Sequence, residues 1–334
     1  MKMLVRRSIV IAVAAVSLLA AACKKDDAGG GAAGKGALQL MPKDADMVMG
    51  IDFGKIRSSD LFKKYEPQMM ALAGDKLAKF KEVCGWDPIP KLATATVAIR
   101  GDKSDQDVTG LFVGFKKDEV LDCLKKAAEK AKADGKPAEL KVDGDYVELV
   151  GAKEPISFMF VGDGILVARR KGAEGTAGKD VLVALTKQAE GDSVLGSSGF
   201  MDVYGKTKTS DALWFVVNGS AAPMQQMPVK VNVAFGSVDV SDGLSVDATG
   251  RMASSDDAEK AGAKAKESLE QIKAFGLVSE ATSEVSGNDV HVKVGMSSEQ
   301  IDKLAGMAGG MLGGRRGRRG GDDTPPPDDG TGAP

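Results

Sequence analysis

The chain has 334 residues, with 42 Gly, 12 Pro, 3 Cys, 1 His, 43% hydrophobic and 28% charged residues. That is enough for one large or two modest domains with a buried core, and the composition excludes a wholly disordered or multi-span membrane protein. A formal net charge of -2 gives no case for nucleic-acid binding, which a basic excess usually advertises, and a single histidine removes most imidazole catalysis and metal chemistry at the outset.

Lys2, Arg6 and Arg7 form a positive n-region, and a weakly polar to apolar run from Ser8 to Ala22 follows. The run has the length of a secretory h-region and is short for a span of about 20 residues, so residues 1–22 are expected to be a signal peptide outside the fold. Ala20, Ala21 and Ala22 directly precede Cys23. They resemble the lipobox of bacterial lipoproteins, whose cysteine is acylated and becomes the mature N-terminus. That family prefers Leu three places before the cysteine, where this chain has Ala20, with Leu19 one place early. The resemblance implies lipidation of Cys23, with palmitate among the acyl chains. The other reading is an ordinary signal peptide cut after Ala22 or a little further on, leaving a free thiol.

Residues 23–37 are charged at first and then rich in Gly and Ala, without apolar periodicity, and read as a flexible tether. Loss of residues 1–22 removes three basic groups and no acid, leaving 42 against 47 and a net charge of -5. Several acyl chains on one cysteine meet the two-signal requirement for stable anchoring, and no later stretch is long and apolar enough to span a bilayer. With Cys23 acylated, Cys84 and Cys123 are the two thiols left in an exported protein, where disulfides persist. A bond between them closes a loop of about 40 residues, worth about 4 kcal/mol in the chain-entropy view. Two separate buried thiols on apolar helical faces are the alternative.

Order is expected to begin near Leu38. Met47 to Phe53 reads as an apolar strand, followed by a helix capped at Ser58 or Ser59, a bend or break at Pro67, and a second helix from Asp75 to Cys84 ended by Gly85. Strands Thr94 to Arg100 and Thr109 to Phe115 precede a helix from Lys117 to about Ala133, stopped by Gly135 and Pro137. Four short strands follow, Ala138 to Val142, Tyr146 to Val150, Ile156 to Val161 and Ile165 to Ala168, with hairpin turns at Asp143-Gly144 and Gly162-Asp163-Gly164. A helix from Lys179 to Gln188, another around Phe200 and the strand Ala212 to Val217 complete a first α+β unit over residues 38–218.

Residues 219–228 read as a connector. A second α+β unit spans residues 229–307: a hairpin of Val229 to Val240 with Leu244 to Met252, a helix from Ser254 or Ser255 to Phe275 closed by Gly276, a hairpin about Gly287-Asn288, and a helix from Ser298 to about Met307. The order strand, helix, glycine, hairpin occurs in both units and suggests a duplicated strand-helix-hairpin element. Hairpins outnumber crossovers, so the expected fold class is α+β, with antiparallel sheets and helices packed on one face. Residues 308–334, with Arg315, Arg316, Arg318 and Arg319 followed by Asp and Pro, read as a disordered tail.

Catalytic and metal constellations are sparse. His291 alternates with Val290, Val292 and Val294 and is expected to face water beside Lys293. Gly172, Gly175 and Gly178 before Lys179 superficially resemble a phosphate cradle, but the first glycine stands one residue too early and Asp180 replaces the magnesium-binding Ser or Thr. Asp102, Asp105 and Asp107 lack the glycine of a calcium loop. No nucleophile elbow or zinc ligand set is present, so no catalytic residue, metal or cofactor is expected. Paired carboxylates stay open as hydrolytic groups, and Trp86, Trp214 and three tyrosines are a thin supply for a sugar site.

The segment Met41-Pro42-Lys43-Asp44-Ala45-Asp46-Met47-Val48, with Gly50-Ile51-Asp52 and Ser58-Ser59-Asp60-Leu61-Phe62-Lys63, resembles the opening of uncharacterised predicted lipoproteins of myxobacteria and their relatives, over about residues 40 to 218. The resemblance implies an envelope location and no catalytic residues. The expected function is that of a non-enzymatic cell-envelope lipoprotein, held to the membrane by its N-terminal lipid, binding an envelope protein, lipid or other component, and not nucleic acid. A carboxylate-dependent hydrolase and a lipid chaperone are the alternatives. Two close acids of perturbed ionisation in a cavity favour the hydrolase, an enclosed apolar cavity the chaperone, and an exposed apolar groove the binding protein. Lys24 is compatible with sorting to the outer membrane by analogy with lipoproteins.

Overall fold

The computed structural model describes residues 34–102, 105–151, 156–170, 175–227 and 229–313. Cys23, residues 1–22 and most of the expected tether fall outside them, as do Gly172 and residues 314–334 of the expected tail. The helices are α1 (Lys35–Gln39), α2 (Phe53–Ser58), α3 (Asp60–Cys84), α4 (Lys117–Ala133), α5 (Lys179–Lys187), α6 (Ser198–Tyr204), α7 (Ala222–Gln225), α8 (Ser255–Ala274) and α9 (Ser298–Gly313). The strands are β1 (Met47–Asp52), β2 (Thr94–Asp102), β3 (Asp105–Val113), β4 (Glu139–Asp143), β5 (Tyr146–Val150), β6 (Ile156–Val161), β7 (Gly164–Arg169), β8 (Leu213–Asn218), β9 (Val231–Asp239), β10 (Leu244–Met252), β11 (Glu280–Ser286) and β12 (Asp289–Met296). They form one 12-stranded antiparallel sheet, and the fold is α+β.

From β1 outward the sheet runs β1-β2-β3-β7-β6-β5-β4, and from its neighbour β8 outward β8-β9-β10-β12-β11. Each half follows one plan: three adjacent strands, a helix that carries the chain to the far edge, and a return that pairs with the third strand. The first half adds a hairpin, β6 with β7. Both crossover helices end in left-handed glycines, Gly135 (φ 72) and Gly276 (φ 66). Lys136 N–H donates to Ala131 O at 2.9 Å and Leu277 N–H to Ile272 O at 3.4 Å, the same closure of the last turn in both halves. The two sequence units thus meet in a continuous sheet through the β8–β9 pair.

Alternation along the strands sorts side chains onto two faces. On one, Leu111 lies opposite Leu166 and Val48 opposite both Ala98 and Val216. Leu38 of α1, Leu182 and Leu185 of α5, and Phe200 and Val203 of α6 close this core. On the other face α4 packs Val120, Leu121 and Leu124 on Val147, Phe158 and Phe160, and α8 packs Ala258 and Leu269 against Val290 and Ala281.

Four expectations are corrected. Residues 35–37 are helical rather than tether, because Leu38 at 0% exposure anchors α1 in the core. α3 continues through Pro67 without a break. Pro67 is exposed, so the carbonyl it leaves without a donor is on the solvent side of the helix. The connector contains α7. α9 runs on to Gly313 rather than stopping near Met307, in keeping with the helical spacing of Met307 and Met311.

Gly50 sits at the centre of the sheet, opposite Trp214 of β8. Trp214 is 1% exposed, with Tyr204 edge-on to it at 5.2 Å and Phe200 stacked on Tyr204 at 5.5 Å. A Cβ at position 50 falls 2.1 Å from Trp214 Nε1 and 2.3 Å from Cε2, far inside contact distance. Gly50→Ala is therefore expected to lower stability by about 1–3 kcal/mol, the cost of overpacking a filled core. Urea unfolding measures it, and an unchanged midpoint contradicts this packing.

Candidate binding face

The two crossover helices share one face of the sheet but lie over its outer strands, α4 over β5 to β7 and α8 over β10 to β12. Between them the same face carries Met47, Met49 and Ile51 of β1, Val97 of β2, and Leu213 and Phe215 of β8. Met49 lies opposite Val97 on one side and Phe215 on the other, and Ile51 opposite Leu213. All six are half-buried and belong to none of the core clusters. They make a continuous apolar strip across the middle of the sheet.

α3 straps the flanks of this strip. It packs on α2 and α4. Near its start, Tyr65 Oη donates to Asp302 Oδ1 of α9 at 2.6 Å, and Lys64 pairs with the same carboxylate. Near its end, Glu82 pairs with Lys130 of α4 at 2.5 Å. Cys84 and Cys123, both buried, are joined Sγ to Sγ across a separation of 39 residues and bond α3 to α4.

The remaining sequence candidates take structural roles. His291 and Lys293 share a face while the valines turn toward α8, and His291 Nε2 lies 2.6 Å from Asp247 Oδ1 on the neighbouring strand. Lys208 joins the same carboxylate at 2.5 Å. Asp107 accepts from Arg100 Nε at 3.1 Å. Lys179, the residue of the false phosphate cradle, pairs with Asp143.

Every described carboxylate with a displaced ionisation is displaced downward. Lys63 does this for Asp60, Lys130 for Glu82, Arg251 for Asp202, Ser241 for Asp239 and Lys64 for Asp302. Burial pushes Asp247 up, but hydrogen bonds from Lys208 and His291 outweigh it and hold the group low. A proton-donating carboxylic acid needs the opposite displacement, so this pattern lends the hydrolase reading no support.

A cavity of about 230 Å³ lies elsewhere, among Asp44, Arg100, Asp107, Thr109 and Arg170, against α5. Sequence reasoning reached neither this cleft nor the strip. The signal for the strip was present, since β1 and β8 are apolar on both faces, but that pattern equally describes strands buried between two layers.

No family model matches the chain, and no curated protein matches it. Among solved structures, crystal forms III, I and IV of TP0453 are similar. Each has a TM-score of 0.44 and 7–8% identity, over 80% of this chain and 96–97% of that one.

Two predictions follow from the geometry. The Cys84–Cys123 bond makes the non-reduced mature protein lighter by two hydrogens, and reduction is expected to lower stability by about 4 kcal/mol; recovery of both thiols alkylated without reductant refutes the bond. Asp247 titrates below its unfolded value, so its contribution is present above the ordinary carboxylate range and lost as pH falls through the depressed folded value. Asp247→Asn is expected to lower stability by about 1 kcal/mol at neutral pH. The difference from the parent should vanish in strong acid, and urea midpoints across pH that stay parallel contradict this assignment.

Proposed function

We propose that this chain is a non-enzymatic lipoprotein of the bacterial cell envelope, anchored through acylated Cys23 and carrying an α+β body that binds an apolar surface of an envelope component along the strip between α4 and α8. The observation that carries the reading is the half-buried row Met47, Met49, Ile51, Val97, Leu213 and Phe215, which lies on the central strands and belongs to no core cluster. Contiguous exposed apolar surface on a folded domain marks interaction sites. Among the described residues no helix is long and apolar enough to cross a membrane, which suits attachment by lipid. Residues 1–23 supply the export signal and acylation site, and the resemblance to myxobacterial lipoproteins supports the same location. Lys24 favours the outer membrane.

Labelled palmitate is expected to enter the parent protein but not Cys23→Ser, and the variant should no longer sediment with vesicles. Equal sedimentation of an unlabelled parent and the variant overturns the anchor. A photo-crosslinker at Met49 of the membrane-held protein is expected to yield an adduct that Phe215→Lys abolishes while circular dichroism stays the same. An adduct indifferent to Phe215→Lys overturns the strip as the docking surface.

A further inference from the structure

We propose that the cleft between α5 and the β2–β3 end of the sheet binds a small organic monocarboxylate. It shares no residue with the apolar strip and does not depend on the membrane anchor. Five segments far apart in sequence build it: the stretch Pro42 to Ala45, the end of β2, the start of β3, Arg170 just after β7, and Leu185 and Gln188 at the end of α5. Its volume of about 230 Å³ equals that of roughly eight water molecules, which sets the ligand at a few carbon atoms.

The floor is apolar, with Ala45, Ala98 and Leu185 at 4%, 3% and 5% exposure. The walls are charged, but unequally committed. Arg100 donates to Asp107 from Nε at 3.1 Å and also pairs with Asp44, so its guanidinium is divided between two carboxylates. Arg170, half-buried, has no carboxylate partner among the described residues. Thr109, 1% exposed, is also a lining residue, and its Oγ1 is shut off from bulk water with no hydrogen-bond partner. A buried hydroxyl is normally paired.

One uncommitted guanidinium and one uncommitted hydroxyl beside an apolar floor form a recognition set for a single carboxylate with a short hydrocarbon tail. The planar guanidinium can present two parallel N–H donors to the two carboxylate oxygens. Asp44 and Asp107 on the same wall repel a second negative charge, so a monoanion is preferred over a phosphate dianion.

The test titrates the isotope-labelled mature chain, in detergent micelles, with butyrate, acetate and inorganic phosphate at constant ionic strength. Butyrate is expected to shift the Arg170 and Thr109 resonances and to bind more tightly than acetate, with phosphate weakest. Arg170→Gln should weaken butyrate at least about tenfold, and Arg170→Lys, which keeps the charge and loses the fork, should weaken it less. Thr109→Val should also weaken it. The wild-type titration stands without the variants if any of them fails to fold. Unmoved Arg170 and Thr109 resonances in butyrate, phosphate binding as well as butyrate, or full affinity in folded Arg170→Gln each overturn the proposal.

Discussion

The antiparallel pairing of β1 with β8 is the joint of the sheet, and the close approach of Trp214 to Gly50 fixes it. Both halves of the sheet build outward from this pair. Burying an indole removes roughly 200 Å² from water, on the order of 5 kcal/mol as an upper estimate, and only glycine leaves the space for it. The same contact orients the strip. Met49 and Ile51 flank Gly50, so with a side-chain period of two they must point to the opposite face, and a slip of one residue would exchange core and surface along the whole strand. The core contact and the apolar strip are thus two consequences of one register.

The outer strands of the second half, β10 to β12, leave their inner face polar, and the reason lies in the segment that joins the halves. Asp202 and Lys208, from α6 and the loop after it, reach Arg251 and Asp247 on β10, and Asp289 on β12 completes the set through Arg251. Part-exposed ion pairs of this kind contribute little to stability one by one. Here they occupy the face that α1, α5 and α6 occupy in the first half, so β10 to β12 keep a single apolar side, the one that faces α8.

Local signals carried most of the fold into the sequence. The turns at Gly144 and Gly287, the glycine stops at Gly135 and Gly276, and the spacing of Val120, Leu124 and Ala127 need only neighbours within one turn. What the sequence hid depends on distant partners. Pro67 reads as a breaker unless the solvent side of α3 is known. His291 can be assigned to the polar side of β12 from alternation alone, yet its bond to Asp247 is a diagonal contact with another strand. Arg170 and Thr109 line one cleft only because β3 pairs with β7, and neither belongs to a motif. The apolar strip was legible as composition and illegible as exposure, because β1 and β8 look the same whether one layer or two covers them.

The width of the strip follows from the one difference between the two halves. In the second half the chain returns from the edge through β12 directly to β10, and α8 lies over β10 to β12. In the first half the additional β6–β7 hairpin separates β3 from β5, and α4 lies farther out over β5 to β7. Each strand adds about 4.8 Å, so two additional strands move the edge outward by about 10 Å. The strands between the two helices, β3, β2, β1, β8 and β9, span roughly 24 Å, more than twice the 8–10 Å at which packed helices sit. A duplicated plan without the insertion would bring α4 inward by about one helix diameter and narrow the gap accordingly. The insertion therefore sets the two crossover helices farther apart than a plain duplication would, and it does so without disturbing the Trp214–Gly50 joint.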